Sequence, residues 1–237
     1  MKFVCSRHRG PELARRILDV VIASTGLILL APLMLVVAIA ILLEGGRPLF
    51  FSQARIGWKG KAFRMHKFRK FRADIGTDGS PLTAKNDQRM TTVGTFLARS
   101  KLDELPQLWN VLRGEMSIVG PRPESLAFAD CFSDSYRGLL EHRPGILGPS
   151  QVLFRNECEM FPANIDAREF YRAVLFPYKA ETDLSYYRTR TILSDLEWIV
   201  RGVLAVAGWR PVSMSPVENL VGQASGYPVP PVVSSAP

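Results

Sequence analysis

The longest apolar pattern in the chain is a stretch with almost no polar interruption. From Ile17 to Leu43 a single charge appears, Asp19, near the start. Wound as a helix, those residues would span roughly 40 Å, more than the ~30 Å hydrocarbon core of a bilayer. Ordinary globular helices are much shorter. A secretory signal peptide is excluded because Leu42-Leu43-Glu44-Gly45-Gly46-Arg47 offers no small-residue cleavage site. The pattern therefore predicts a membrane-inserted helix. Pro32, near its middle, lacks an amide donor and crowds the preceding turn, so it predicts a break or kink there.

The remaining pattern is that of a globular body. Residues 48–72 alternate short aromatic and charged runs around Gly57 and Gly60, which predicts short strands or an interfacial element. Residues 73–92 are polar and turn-rich, a loop. Over 93–113, Leu105, Leu108, Trp109 and Leu112 share one helical face. Gly114 and then Gly120-Pro121-Arg122-Pro123 end that helix. A second helix is expected over 124–141, closed by Arg143-Pro144-Gly145. Residues 185–207 are amphipathic: Ile192, Leu193, Leu196, Ile199, Val200, Val203 and Leu204 oppose Arg188, Arg190, Asp195, Glu197 and Arg201. That helix suits a membrane interface with Trp198 at headgroup depth, or equally the core of the body. Residues 211–237 hold six prolines and one charge, Glu218, and read as a disordered tail. The expected fold class is α+β. A compact, mainly helical body with short strands is joined to an N-terminal membrane helix. The expected divisions are a basic segment 1–14, the membrane helix 15–46, the body 47–210 and the tail 211–237.

Composition sharpens the topology. The chain of 237 residues is 47% hydrophobic, which excludes a disordered protein. Its three cysteines, Cys5, Cys131 and Cys158, are too few and scattered for a disulfide scaffold. Net charge is +8, from 30 basic and 22 acidic residues. Residues 1–72 carry 14 basic and 3 acidic residues (+11); residues 73–237 carry 16 and 19 (−3). The whole excess thus brackets the apolar stretch: Arg7, Arg9, Arg15 and Arg16 before it, Arg47, Arg55, Lys59 and Lys61 after it. Basic flanks face the cytoplasm, and a single crossing cannot place both there. A kinked crossing and a helix that returns to the same face both remain open, with the charge favouring return. Positive charge astride an apolar segment, without an aromatic-interleaved basic face, points to an anionic membrane and away from nucleic acid.

Common catalytic motifs are absent. Gly57-Trp58-Lys59-Gly60-Lys61 falls short of a Walker A loop, because Arg55 and Ala62 stand where Gly and Ser/Thr are needed. His8, His66 and His142 are too dispersed for a zinc cluster. Asp103-Glu104, just ahead of Pro106, is the one acidic pair in a suggestive setting. A helix N-cap explains it without any chemistry. Alternatively Asp103 is a nucleophile, or both acids hold Mg²⁺, which favours one or two carboxylates plus substrate phosphates. Around them, Lys67-Phe68-Arg69, Arg89, Arg99, Arg122 and Arg143 stand near turn formers, so their charges can be aimed at phosphate. Each taken singly is also explained as a solvated surface charge.

These stretches, taken in order, resemble the bacterial sugar transferases, the monotopic polyprenyl-phosphate phosphoglycosyl transferases. The likeness runs from about Arg15 to Gly202. It includes Arg16-Ile17-Leu18-Asp19, Gln53-Ala54-Arg55-Ile56-Gly57, Lys67-Phe68-Arg69, Asn86-Asp87-Gln88-Arg89, the dense run Leu102 to Glu124, and Arg143-Pro144-Gly145-Ile146. The resemblance implies a re-entrant membrane helix broken at Pro32, with the body on the cytoplasmic face of the bacterial inner membrane. It implies Asp103 as nucleophile toward a nucleoside diphosphate sugar, usually a UDP-sugar, with release of UMP and a covalent aspartyl phosphosugar. A polyprenyl phosphate would then accept the phosphosugar, an initiating step of surface glycan or exopolysaccharide synthesis. Glu104 would partner Asp103 in holding or positioning Mg²⁺, and Lys67, Arg69, Arg122 and Arg143 would lie near the substrate phosphates. Four places depart from the family pattern: Ala31 replaces a common Ser before the proline, Lys70-Phe71 replaces Thr-Met, Ala98 stands where an Arg is expected five residues before Asp103, with Arg99 adjacent and its role thereby open, and Ile146-Leu147-Gly148 replaces Ile-Thr-Gly. Residues 153–182, with Phe154-Arg155-Asn156-Glu157, look peculiar to a subgroup and have no expected role. The other class of function consistent with the chain is a catalytically silent membrane scaffold, against which the intact Asp103-Glu104 argues. Assembly as a homo-oligomer is left open.

Overall fold

The computed structural model describes residues 9–75, 82, 87–157, 160–161 and 166–209. The expected tail and most of the basic N-terminal segment lie outside the described residues, as does much of the expected loop at 73–92.

Helix α1 runs from Arg9–Gly45 with Pro32 inside it. The expected break therefore takes the form of a proline within one helix, not of two helices parted by a loop. Its most apolar window has a mean hydropathy of 3.0 and is only 11% buried. A core helix of a globular protein would be mostly covered, so α1 is long and apolar enough to cross a membrane and leaves that surface open. Its two ends are nonetheless fixed to one body. Near the start, Arg16 donates to the carbonyls of Val111 (2.6 Å) and Leu112 (2.8 Å). Buried Asp19 accepts from Ser117 Oγ (3.0 Å) and the Ile118 amide (2.8 Å). Near the end, Glu44 accepts from the amides of Thr92 (2.7 Å) and Val93 (3.1 Å). Ala23 packs into a cluster with Leu108, Val111, Met116 and Ile118, while Val37 and Ile41 pack with Phe68 and Leu97. Between these contacts Ile28, Leu29, Leu35 and Val36 stand exposed.

The 48–72 region is an antiparallel hairpin of β1 (Phe50–Ile56) and β2 (Ala62–Phe68), in register from Phe50↔Phe68 to Ile56↔Ala62. Its open end stacks the Phe50 and Phe68 rings. The helix expected over 93–113 is divided into α2 (Thr92–Ser100), a 3₁₀ turn (Leu102–Glu104) and α3 (Gln107–Leu112). Two residues cause this. Lys101 adopts the left-handed region (φ 60°), which ends α2, and Pro106 cannot donate to the carbonyl four residues back.

β3 (Ser117–Val119) pairs in parallel with β4 (Gly145–Leu147). Here the two backbones nearly touch: a Cβ on Gly145 would lie 2.0 Å from the Gly120 nitrogen. Only glycine permits that approach, and it locks the Gly120-Pro121-Arg122-Pro123 turn in place. The helix expected over 124–141 is absent. Two 3₁₀ segments, Leu126–Cys131 and Arg137–Glu141, replace it, interrupted by the non-helical Phe128 (φ −116°) and the Ser133 turn. After α4 (Pro149–Leu153), α5 (Ala167–Phe170) leads through a π turn (Tyr171–Leu175) into α6 (Phe176–Thr189). The amphipathic segment 185–207 is split at Thr191, whose capping box with Ser194 opens α7 (Ile192–Val206). One face of α7 packs Trp198 and Ile199 into the core. The other leaves Leu193, Val200 and Val203 exposed, each by more than half. The core reading thus holds for the face that carries Trp198, which is not left at a membrane surface, and the opposite face is an exposed apolar stripe.

Candidate active site

The 3₁₀ turn between α2 and α3 carries Asp103 and Glu104. The simple capping explanation fails: Pro106 holds the N-cap position of α3, and no side chain caps that helix. Asp103 is 2% exposed, and its Oδ1 is buried without a hydrogen-bond partner. A buried acceptor left unmade is costly, so a fold that retains one retains it against stability.

The two carboxyls are driven in opposite directions. Burial pushes Asp103 up, opposed chiefly by Lys67, while the charge of Glu104 adds to the upward push and Lys70 and Lys101 pull it down. Burial also acts to raise Glu104, but Lys67, Arg122 and Lys101 outweigh it and hold that carboxyl below its ordinary range. Lys67 Nζ donates to Glu104 Oε1 at 2.7 Å, and Arg122 Nη2 lies 4.0 Å from the same oxygen. Glu104 is therefore a committed anion with named partners. Asp103 is an oxygen held among cations with no donor on it, and separated acidities of this sort mark neighbouring groups with different roles.

The hairpin supplies Lys67 from β2, and the locked turn after β3 supplies Arg122. Gly94 of α2 packs so tightly that an added Cβ would meet the Lys70 carbonyl at 1.9 Å, fixing α2 against the segment that carries Lys70. Burial lowers Lys70 to about 8, despite the nearby Asp103 charge. Beside the turn lies a cavity of about 220 Å³. Lys101, Glu104, Arg122 and Arg155 line its charged side, and Leu105, Ile146 and Val206 are among its apolar lining. Asp103 is not among the lining residues of this cavity. Glu104 and Arg122 also border a narrow cleft with Arg55, Lys67 and Gln107.

Of the basic residues expected at the site, Lys67 and Arg122 are brought to the acidic pair. Arg69 and Arg143 are placed elsewhere. Arg69 Nη2 donates to the carbonyls of Gly45 (3.0 Å) and Gly46 (2.8 Å), closing the end of α1. Arg143 donates to the Gly114 carbonyl (3.2 Å) and stacks over Trp58 at 4.4 Å. Arg89 pairs with Asp87 at 2.6 Å. Sequence reasoning missed Lys70 and Lys101, although both adjoin motifs already singled out. It also missed Glu157 and Lys179, which no local pattern connects to the site.

A divalent cation fits this donor set in part. Asp103 and Glu104 are hard oxygen donors, and the orphaned Asp103 oxygen, though buried, has no hydrogen-bond donor to displace. Among the described residues no group of three or more His, Cys, Asp or Glu gathers, so substrate oxygens or water would complete the coordination.

Comparison with known proteins converges on this region. The family model described as bacterial sugar transferase matches residues 11–208. A UDP-glucose:undecaprenyl-phosphate glucose-1-phosphate transferase of Xanthomonas campestris pv. campestris is 38% identical over 205 residues, covering 82% of this chain and 39% of that protein. A protein of the same description from Caulobacter vibrioides is 35% identical over 195 residues, 81% of this chain and 69% of its own. A UDP-N-acetylgalactosamine-undecaprenyl-phosphate N-acetylgalactosaminephosphotransferase of Aeromonas hydrophila is 34% identical over 186 residues, 76% of this chain and 44% of its own. The chain thus spans less than half the length of two of these three relatives. The matched span takes in α1, the hairpin, the acidic turn and the locked arginine turn together, and the chain belongs to the bacterial sugar transferase family.

Proposed function

We propose that the protein moves a phosphosugar from a nucleoside diphosphate sugar, of the UDP-sugar class, to a polyprenyl phosphate and releases UMP. The observation that carries this is the buried, unpartnered Asp103 oxygen among Lys67, Lys70 and Lys101. It occurs in a family whose relatives are named for undecaprenyl-phosphate sugar-1-phosphate transfer. The Asp103 oxygen attacks the β-phosphorus, the bond to the bridging oxygen breaks, and UMP leaves with that electron pair. An oxygen of the polyprenyl phosphate then attacks the same phosphorus. The aspartyl P–O bond breaks, giving the polyprenyl diphosphosugar and restoring the carboxylate. Lys67 and Arg122 neutralise the phosphates that an anion must approach, electrostatic catalysis in place before the reaction begins. Bound Mg²⁺, held by Asp103 and Glu104 with phosphate oxygens, would add further charge neutralisation.

The same reading places the protein on the cytoplasmic face of a bacterial inner membrane. Asp19 and Glu44 are both anchored to one polar body, which cannot enter hydrocarbon. Both ends of α1 therefore lie on one side, and the exposed Ile28–Val36 stretch dips into the bilayer and returns at Pro32. The outer stripe of α7 rests in the interface beside it. Rapid-quench assay with UDP-sugar and no acceptor checks the mechanism. Ping-pong chemistry gives one equivalent of UMP per enzyme and labels Asp103; UMP that appears only when both substrates are present overturns it. Cysteine labelling near residues 11 and 47 checks the topology, with both sites expected on the cytoplasmic side.

A further inference from the structure

The segment after α4 and helix α6 contribute two charged residues that meet deep in the body. Lys179 is 4% exposed. Its Nζ donates to Tyr171 Oη at 2.9 Å and Glu157 Oε2 at 3.0 Å, and lies 3.5 Å from Glu124 Oε1. The ammonium thus makes two hydrogen bonds and one further ion pair. The Glu124 charge also acts on the Tyr171 hydroxyl. Glu104, Glu157 and Glu124, in that order, are the anions that act most strongly on Arg122. Glu104, Arg122, Glu157 and Lys179 all line the 220 Å³ cavity. A chain of alternating charge results: Lys67, Glu104, Arg122, then Glu157 with Glu124, then Lys179.

We infer that Lys179 is a positioning residue for Arg122, acting through Glu157 and Glu124. Arg122 shares the cavity wall with Glu104 and with Glu157, while buried Glu124 lies between the fields of Arg122 and Arg55. Lys179 holds both acids, by a hydrogen bond to Glu157 and an ion pair to Glu124. Without its charge, Glu157 is left unpaired in the cavity it shares with Arg122 and draws the guanidinium away from Glu104 and from any phosphate there. Nothing in a local motif indicates this: Glu157 and Lys179 both fall in the stretch peculiar to a subgroup. The inference rests on the reading that Arg122 serves phosphate during transfer.

The test is a charge-balance cycle on the full-length enzyme in detergent with UDP-sugar and polyprenyl phosphate. Lys179→Met is expected to lower kcat roughly 100-fold, the cost of a broken buried pair. Glu157→Gln added to Lys179→Met removes the excess negative charge and should recover at least about tenfold of that loss. A purely structural lysine would show no such recovery. Should Lys179→Met fail to fold, the double variant carries the test, and it must fold and turn over within about tenfold of wild type. Arg122 is followed separately by the ¹⁵Nε signal of its side chain, assigned with Arg122→Lys. That signal should shift in Lys179→Met and return in the double variant. Turnover of Lys179→Met within about threefold of wild type, or a double variant no better than the single, overturns the inference. A wild-type enzyme that releases no UMP, but whose Arg122 signal shifts and returns, sinks the transferase reading and leaves the positioning role standing.

Discussion

Two sets of buried carboxylates divide the molecule. Asp19 and Asp195 hold the first half of α1 to the body, and every contact they make is directed. Asp195 accepts from Tyr186 (2.5 Å), Arg190 (2.7 Å) and Arg15 (3.2 Å), while Asp19 takes Ser117 and the Ile118 amide. Asp103 is as deeply buried, yet one of its oxygens has no donor at all. Satisfied buried charges specify an arrangement, whereas an unsatisfied one marks a candidate functional group. The fold places the first kind where α1 joins the body and the second at the turn to which the proposed reaction would bring phosphate.

The sharpest way to break this comparison is Asp103→Asn. It should reduce UMP release by at least about a thousandfold, while thermal unfolding in detergent shows stability unchanged or raised, because a buried charge without a donor is removed. A variant that loses stability instead would move Asp103 into the structural set. Asp195→Ala should do the reverse. It strands Arg15 and Arg190 and should cost about 3–5 kcal/mol of unfolding free energy, with kcat per folded enzyme preserved. Asp183 tests an intermediate case. Burial raises it to about 7, although Ser150 donates to it from both its amide (3.0 Å) and its hydroxyl (2.8 Å). An acid raised in the folded state contributes stability below its unfolded pKa and loses it as pH climbs through the folded one. Wild type should therefore lose about 2–4 kcal/mol relative to Asp183→Asn between roughly pH 4 and 7, measured by denaturant unfolding across that window. The smallest effect is expected for Glu104→Gln, which weakens one charged hydrogen bond with Lys67 and should slow turnover about 10- to 100-fold. An unaltered Mg²⁺ dependence in that variant would remove Glu104 from the metal site.

How much of this was legible in the sequence depended on the range of the interaction. The apolar helix and the short strands of 48–72 are local patterns, and both are found where expected; the acidic pair lies in a turn of its own and not at a capped helix start. The single helix expected over 93–113 failed at Lys101, since hydrophobic spacing at Leu105, Leu108 and Leu112 continues across a left-handed residue that no periodicity can register. The helix expected over 124–141 failed because the backbone leaves the helical region at Phe128 and turns at Ser133, which still brings Phe128 and Leu139 into the core. Arg69 and Arg143 show the limit for site residues. A Pro-flanked or motif-borne arginine is aimed, but its target is decided by tertiary geometry, and here a helix end and a tryptophan face claim them. Glu157 and Lys179 were invisible because their meaning lies in each other's company, 22 residues apart.

Glu44 does more than end α1. Its carboxylate sits on the first amides of α2, and α2 is nine residues long, about 13 Å, before the chain turns at Lys101 into Asp103. A short rigid strut thus joins the foot of α1 to the turn that carries Asp103. With α1 in the bilayer as proposed, that strut would fix the stand-off between bilayer and carboxylate. An acceptor phosphate confined to the headgroup plane would then need only to drift sideways to meet it, a two-dimensional search.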